Sequence, residues 1–174
     1  MNLSEQIEKY TETAGSNHGC GSLPLKTLLD IQSAVDRPIL ASAETGCGKS
    51  TIFFSNISKH HKVFCLDDRA SGDTSSVNYF MNCPSTNYNV LDIIYGPTQT
   101  TLRNYDNHAE FDLVLIDGPH GYPFPEMEYF YFYPHLKVGG VLVVDDIHIA
   151  SIGRLADFLA EDAMFELVKL IGTT

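Results

Sequence analysis

Basic residues are scarce in this chain. Only 11 Lys and Arg stand against 22 Asp and Glu in 174 residues, a formal net charge of −11. Nucleic-acid phosphates are bound by clustered Lys and Arg, so this balance argues against a nucleic-acid partner. The same charge is repelled by an anionic membrane leaflet. No run of 18 apolar residues occurs, so nothing predicts a bilayer span. The first ten residues carry Glu5 and Glu8 and lack an apolar core segment, unlike a secretion signal. The four cysteines (Cys20, Cys47, Cys65, Cys83) form no CxxC pair, and no His completes zinc spacing around them. They read as reduced thiols of a cytoplasmic protein. Internal repeats and low-complexity stretches are also missing.

What remains is ordinary globular material, 44% apolar and 19% charged. Its length suits one domain that hides roughly 70% of its unfolded surface. Short apolar runs recur: Ile39–Ala43, Val63–Leu66, Val90–Tyr95, Leu113–Ile116 and Val141–Val144. They are nearly continuous rather than alternating, as in parallel strands covered on both faces. Between them lie helix candidates at Ser50–Ser58, Ser75–Asn82, Thr98–Tyr105, Pro125–Tyr133 and Ser151–Ala160. Leu3–Thr13 and Leu23–Val35 precede the first strand as an N-terminal helical cap, and Phe165–Ile171 reads as a sixth strand. The pattern predicts an α/β fold, Rossmann-like and doubly wound, with a mostly parallel sheet and helices on both faces. Residues 1–37 form the cap and 38–174 the sheet domain.

In such sheets ligands bind beyond the carboxyl ends of the strands. Those ends are acidic here: Glu44, Asp67, Asp117, Asp145 and Asp146. The row reads as a polar rim around a ligand. The segment Ala43-Glu44-Thr45-Gly46-Cys47-Gly48-Lys49-Ser50-Thr51 follows a strand and opens a helix. It admits three readings. Gly48-Lys49-Ser50 fits the second half of a phosphate-binding P-loop, but Ala43 stands where its first glycine belongs. Glu44-x-Gly46-x-Gly48 fits a loop for the amino-acid end of S-adenosylmethionine, where a backbone without Cβ lets the ligand approach. As a dinucleotide fingerprint the segment matches two glycines of three, with Thr51 in the third place. Asp67 closes the second strand 23 residues after Glu44, the spacing of a ribose-binding acid, which an NTPase does not need.

Taken in order, these residues resemble a known family. The set runs Glu44 to Thr51, Asp67, Gly96-Pro97-Thr98-Gln99, Phe111 to His120, and Leu136-Lys137-Val138-Gly139-Gly140-Val141-Leu142-Val143-Val144-Asp145-Asp146. It is similar to class I S-adenosylmethionine-dependent methyltransferases, and more narrowly to small metal-dependent O-methyltransferases of the catechol and macrolide-sugar type. The resemblance implies a seven-stranded sheet with a late antiparallel hairpin, of which the last strand is expected to be missing, truncated or never present. It implies that Glu44, Gly46 and Gly48 hold the methionine part, Asp67 the ribose, and Thr98 and Gln99 the adenine. Asp117 is expected to serve the cofactor as well. Lys49 departs from the pattern; it points outward or reaches the ligand's carboxylate.

Asp117, Asp145 and Asp146 end neighbouring strands in a 3-2-1-4-5 order, and their hard oxygens suit Mg2+ or Mn2+. In the metal-dependent relatives the corresponding acids bind the ion, which lowers the pKa of the acceptor hydroxyl. His120, three residues after Asp117, is the candidate base. His148 is a weaker candidate for metal or substrate, and His60-His61 reads as a helix end. Tyr129 to Tyr133 reads as core packing or a homodimer contact, Tyr122 and Phe124 as borders of an acceptor pocket, and Tyr10–Gly21 as a lid. The function expected is methyl transfer to a small hydroxylated acceptor, a sugar or phenol. The alternatives are a P-loop ATPase or kinase using Gly48-Lys49-Ser50, and a non-catalytic adenosylmethionine-binding domain.

Overall fold

A computed structural model describes residues 2–14, 22–105 and 110–172. The lid expected over Tyr10–Gly21 lies largely outside the described residues, as does Cys20. Two helices, α1 (Leu3–Ala14) and α2 (Leu25–Ala34), precede β1 (Ile39–Thr45). Then follow α3 (Lys49–Ile57), β2 (Ser58–Cys65), α4 (Ser76–Asn82), β3 (Leu91–Tyr95) and the short α5 (Thr98–Thr101). β4 (Phe111–Ile116), α6 (Phe124–Phe132), β5 (Leu136–Val144) and α7 (Ala150–Glu161) complete the series. The strands form one parallel sheet in the order β3-β2-β1-β4-β5. None of the described helices is long and apolar enough to cross a membrane.

The apolar runs become strands because both sheet faces are covered. In β4 all six residues are buried. Leu113 and Leu115 face one core with Ile7, Leu28, Ile31, Phe53, Phe54 and Phe80. Val114 and Ile116 face the other with Phe64, Phe111, Phe132 and Leu155. Phe132 meets Phe64 and Phe111 edge-on at 5.7 and 6.1 Å, geometry worth about 0.5–1.5 kcal/mol per pair beyond area burial. The aromatic run therefore divides: Phe132 is core, whereas Phe130 is 67% exposed. The opposite end of the sheet is clipped by Asp112, whose carboxylate accepts from the β1 amides of Leu40 (2.8 Å) and Ala41 (3.1 Å) and from Lys137 Nζ (2.9 Å).

Three expectations are corrected. His60 and His61 do not end a helix; α3 stops at Ile57 and β2 starts at Ser58 with no intervening loop, so both lie in the strand. Phe165–Ile171 forms no strand. The segment is tied by side chains instead: Phe165 rests on Tyr129 at 6.0 Å, Lys169 pairs with Asp30 of α2 at 2.8 Å, and Ile171 packs on the α1–α3 core. That path leads it away from the edge of β5, the place where a ladder partner would be found. The helix expected over Thr98–Tyr105 is also shorter, ending at Thr101.

Candidate active site

The glycine turn joins β1 to α3. Gly46 has φ +80°, and a Cβ there would stand 2.4 Å from the Asp117 carbonyl oxygen. Both facts demand glycine: the backbone is left-handed, and the ends of β1 and β4 touch. Gly46 N–H donates to Phe64 O at 2.9 Å, binding the turn to β2 as well. Gly48, with φ +150° and ψ −125°, caps α3 and donates its amide to Thr51 Oγ1 at 3.0 Å. Thr51 in turn donates to Glu44 Oε1. Glu44 is wholly buried and turned inward, and its Oε2 has no hydrogen-bond partner. Lys49, the first residue of α3, is half-buried with no ion-pair partner among the described residues, and burial lowers its pKa. The neighbouring Cys65 thiol, together with burial, pushes the Cys47 thiol above the ordinary thiol range. Cys47, Cys65 and Cys83 are free thiols.

Beyond the turn, Asp67 is exposed and held bidentately by Arg69, with Nε at 2.7 Å and Nη2 at 2.6 Å. The guanidinium keeps its carboxyl below the usual range and lies over the Tyr95 ring at 5.2 Å. Its neighbour Asp68 serves the fold, accepting from the Ser76 and Val77 amides at the start of α4. Thr98 opens α5 and is buried with an unpartnered hydroxyl, while Gln99 is exposed.

At the ends of β4 and β5 the acids crowd. Burial, then the charges of Asp145, Glu44, Asp146 and Glu128, push Asp117 up to about 8. Burial and Asp146 also raise Asp145. Asp146 adopts φ +53°, the left-handed region that Asp tolerates better than most residues. His120 bridges the two strand ends: its Nε2 lies 3.4 Å from Asp146 Oδ2 and 3.8 Å from Asp117 Oδ1. His148 Nδ1 lies 3.7 Å from Asp146 Oδ1. This arrangement lends no support to the expected Mg2+ or Mn2+ set. Among the described residues no three His, Cys, Asp or Glu side chains are placed to hold an ion. Asp117 and Asp146 face an imidazole, and Asp145 is held by burial and the Asp146 backbone.

Glu128 was not expected in this region from the sequence, and His61, read there as a helix end, joins it. Glu128 of α6 is wholly buried, and its Oε2 accepts from Thr45 Oγ1 at 2.7 Å. Thr45 Oγ1 also accepts from the Asp117 amide at 3.0 Å, so Glu128 steadies the end of β4 through Thr45. The Glu128 carboxylate presses on Gly118, where a Cβ would lie 2.1 Å from Oε1. The only local signal was a carboxylate inside an aromatic helix. His61 lies buried beside Glu44, with its Nε2 3.2 Å from Glu44 Oε1.

The model of a methyltransferase domain matches residues 43–147, which include the turn, Asp67, Thr98, Asp117, His120 and both β5 acids. Solved structures share the fold. An O-methyltransferase from Bacillus cereus in complex with SAH aligns with a TM-score of 0.68 at 12% identity, covering 91% of this chain and 80% of that one. The O-methyltransferase TomG from Streptomyces achromogenes, involved in tomaymycin synthesis and in complex with SAM, gives 0.64 at 16%, covering 92% and 78%. The SAH-bound methyltransferase PaMTH1 from Podospora anserina gives 0.64 at 16%, covering 94% and 80%. No curated protein matches the chain. Since the family model spans more than half of the residues, and the sheet order agrees with it, the chain belongs to the methyltransferase-domain family and has the class I, S-adenosylmethionine-dependent methyltransferase fold.

Proposed function

We propose that this protein transfers a methyl group from S-adenosylmethionine to the hydroxyl oxygen of a small acceptor, a sugar or phenol, with His120 as the base. The observation that carries this reading is the seat of His120 between Asp117 and Asp146, beside the glycine turn. The residues fit the cofactor. The unpaired, half-buried Lys49 complements a carboxylate at the turn. Gly46 and Gly48 keep the turn free of side chains, with Glu44 fixing its base. Asp67 serves the ribose hydroxyls, Thr98 and Gln99 the adenine, and Asp117 completes the cofactor side. The cofactor brings an electrophilic methyl group on a sulfonium, and the acidic rim suits that positive charge.

His120 takes the acceptor's proton as the hydroxyl attacks, and the Asp146 carboxylate 3.4 Å away stabilises the imidazolium that results. Displacement at a methyl group is in-line, so holding the two reactants aligned supplies much of the rate. The protonated form that Asp117 retains near neutrality lets it donate a hydrogen bond to an acceptor oxygen. Tyr122, 77% exposed on the loop after His120, and Phe124 border the acceptor. The three acids as they stand do not form a ligand set, so no step is assigned to an ion here. The assignment of residues 1–37 as a cap over a 38–174 catalytic domain belongs to the same reading, as do a cytoplasmic location and the absence of a nucleic-acid partner.

The test is release of S-adenosylhomocysteine from S-adenosylmethionine in the presence of a panel of phenols and sugars. His120→Gln is expected to lower kcat by about 10²–10⁴, the usual contribution of a general base, while leaving the Kd for S-adenosylhomocysteine unchanged. Binding of the cofactor with no turnover on any hydroxylated acceptor would favour a non-catalytic binding domain.

A further inference from the structure

Behind the glycine turn a chain of polar groups runs through the sheet. Gly48 N–H donates to Thr51 Oγ1 at 3.0 Å, and Thr51 donates to Glu44 Oε1. The same Glu44 oxygen lies 3.2 Å from His61 Nε2. His61 Nδ1 is 2.8 Å from Ser42 Oγ, and Ser42 Oγ is 2.7 Å from Ser58 Oγ. Ser42, Glu44, Thr51 and His61 are wholly buried, and Ser58 is 7% exposed. The Phe54 ring of α3 meets the imidazole edge-on at 5.5 Å, and Leu91 of β3 pairs with it in the sheet. This is an unusual place for a carboxylate and an imidazole. Buried polar groups are kept only where their hydrogen bonds are made, and a partly satisfied network carries a high cost. Packing alone would be served better by apolar side chains.

We propose that His61 is a positioning residue for the cofactor turn. Its Nε2–H holds Glu44 Oε1, Glu44 holds the Thr51 hydroxyl, and Thr51 fixes the direction of the Gly48 amide. The tautomer follows from the chain of donors. Thr51 has already given its hydrogen to Glu44, so the carboxylate takes a second donor from His61, and Nδ1 is left to accept from Ser42. Gly48 sits at φ +150°, a conformation with few intrinsic restraints in glycine, so the orientation of its amide comes from this bond. Remove His61 and Glu44, whose Oε2 is already unpartnered, loses its second donor. The carboxylate is then free to turn toward another donor, which releases Thr51 and the turn. The inference rests on the reading of the turn as the adenosylmethionine site.

The test measures the Kd for S-adenosylhomocysteine by calorimetry, well below Tm, alongside Tm for each variant. His61→Leu is expected to weaken binding about tenfold, the loss of one charge-assisted hydrogen bond. His61→Gln keeps a donor for Glu44 and is expected to bind within about threefold of the unmodified protein. Thr51→Val, which cuts the chain one step nearer the turn and conserves volume, is expected to weaken binding about as much as His61→Leu. The two together are expected to cost little more than one, because they break the same link. If His61→Leu fails to fold, Thr51→Val and His61→Gln decide. A lowered Tm with unchanged Kd in Thr51→Val and His61→Leu would overturn the proposal and leave the chain as packing. An unmodified protein that does not bind S-adenosylhomocysteine would overturn the reading of the turn itself.

Discussion

Replacing Glu128 by Gln should stabilise the protein at pH 8 and do little at pH 5. Burial pushes this carboxyl up to about 7, against the lowering effect of the Thr45 hydroxyl and of Thr98, which acts from nearby although neither Thr98 Oγ1 nor Glu128 Oε1 makes a hydrogen bond. An acid with a raised folded-state pKa holds its proton in the native state after the unfolded chain has lost it. The unfolded state therefore binds fewer protons, and stability falls as pH rises from about 4.5 to about 7, then levels off. A rise from 4.5 to about 7, at 1.36 kcal/mol per pH unit, corresponds to about 3 kcal/mol across that window. The side chain is wholly buried, so solvent does not screen it. Gln keeps an oxygen for Thr45 and carries no charge. Urea unfolding of both proteins at pH 5 and pH 8 should therefore show the variant gaining about 2–3 kcal/mol on the unmodified protein between the two. A difference that does not change with pH would refute the reasoning, as would a variant that loses ground at pH 8.

Gly46→Ala should lose at least about 2 kcal/mol in urea unfolding, since its Cβ meets the Asp117 carbonyl and its φ is +80°; a neutral result would mean that the ends of β1 and β4 can part without cost. Asp112→Ala should cost about 3–5 kcal/mol by the same assay, because it strands Lys137 and leaves two β1 amides without their acceptor. Lys49→Gln should weaken S-adenosylhomocysteine binding about five- to tenfold, the scale of one charge-assisted hydrogen bond, without abolishing it; a phosphate loop would instead require the lysine outright.

The sheet was legible because its strands are buried on both faces. Runs such as Leu113–Ile116 need no partner to be recognised, and the strand order follows from the βαβ spacing. β2 was harder. Its first half, Ser58-Lys59-His60-His61-Lys62, is polar, and His61 is made compatible with burial by Glu44 and Ser42 of another strand. No local pattern carries that satisfaction. β5 begins at Leu136 rather than Val141, running through Gly139 (φ +73°) and a register irregularity opposite Phe111 to Leu113. Phe165–Ile171 has strand-like residues, but a strand exists only through its ladder, and Lys169 and Ile171 direct the segment to α2 and the core instead.

The site divides in the same way. The acidic strand ends and the proximity of Asp117 to His120 were visible, because strand ends of a parallel sheet gather at one edge. The bridge from His120 to Asp146 joins β4 and β5 and follows from their adjacency. That Asp146 shares His120 with Asp117 was not visible, since only the pairing of β4 with β5 brings it there. Asp67 is likewise occupied by Arg69, two residues on, in a grip that spacing alone does not reveal.

The central claim is that the turn from Glu44 to Lys49 receives S-adenosylmethionine. Calorimetric titration of the purified protein with S-adenosylhomocysteine and, separately, with ATP–magnesium tests it most directly. One S-adenosylhomocysteine is expected to bind per chain, with no heat from ATP–magnesium. Binding of ATP–magnesium with none of S-adenosylhomocysteine would contradict it and make Gly48-Lys49-Ser50 a phosphate loop.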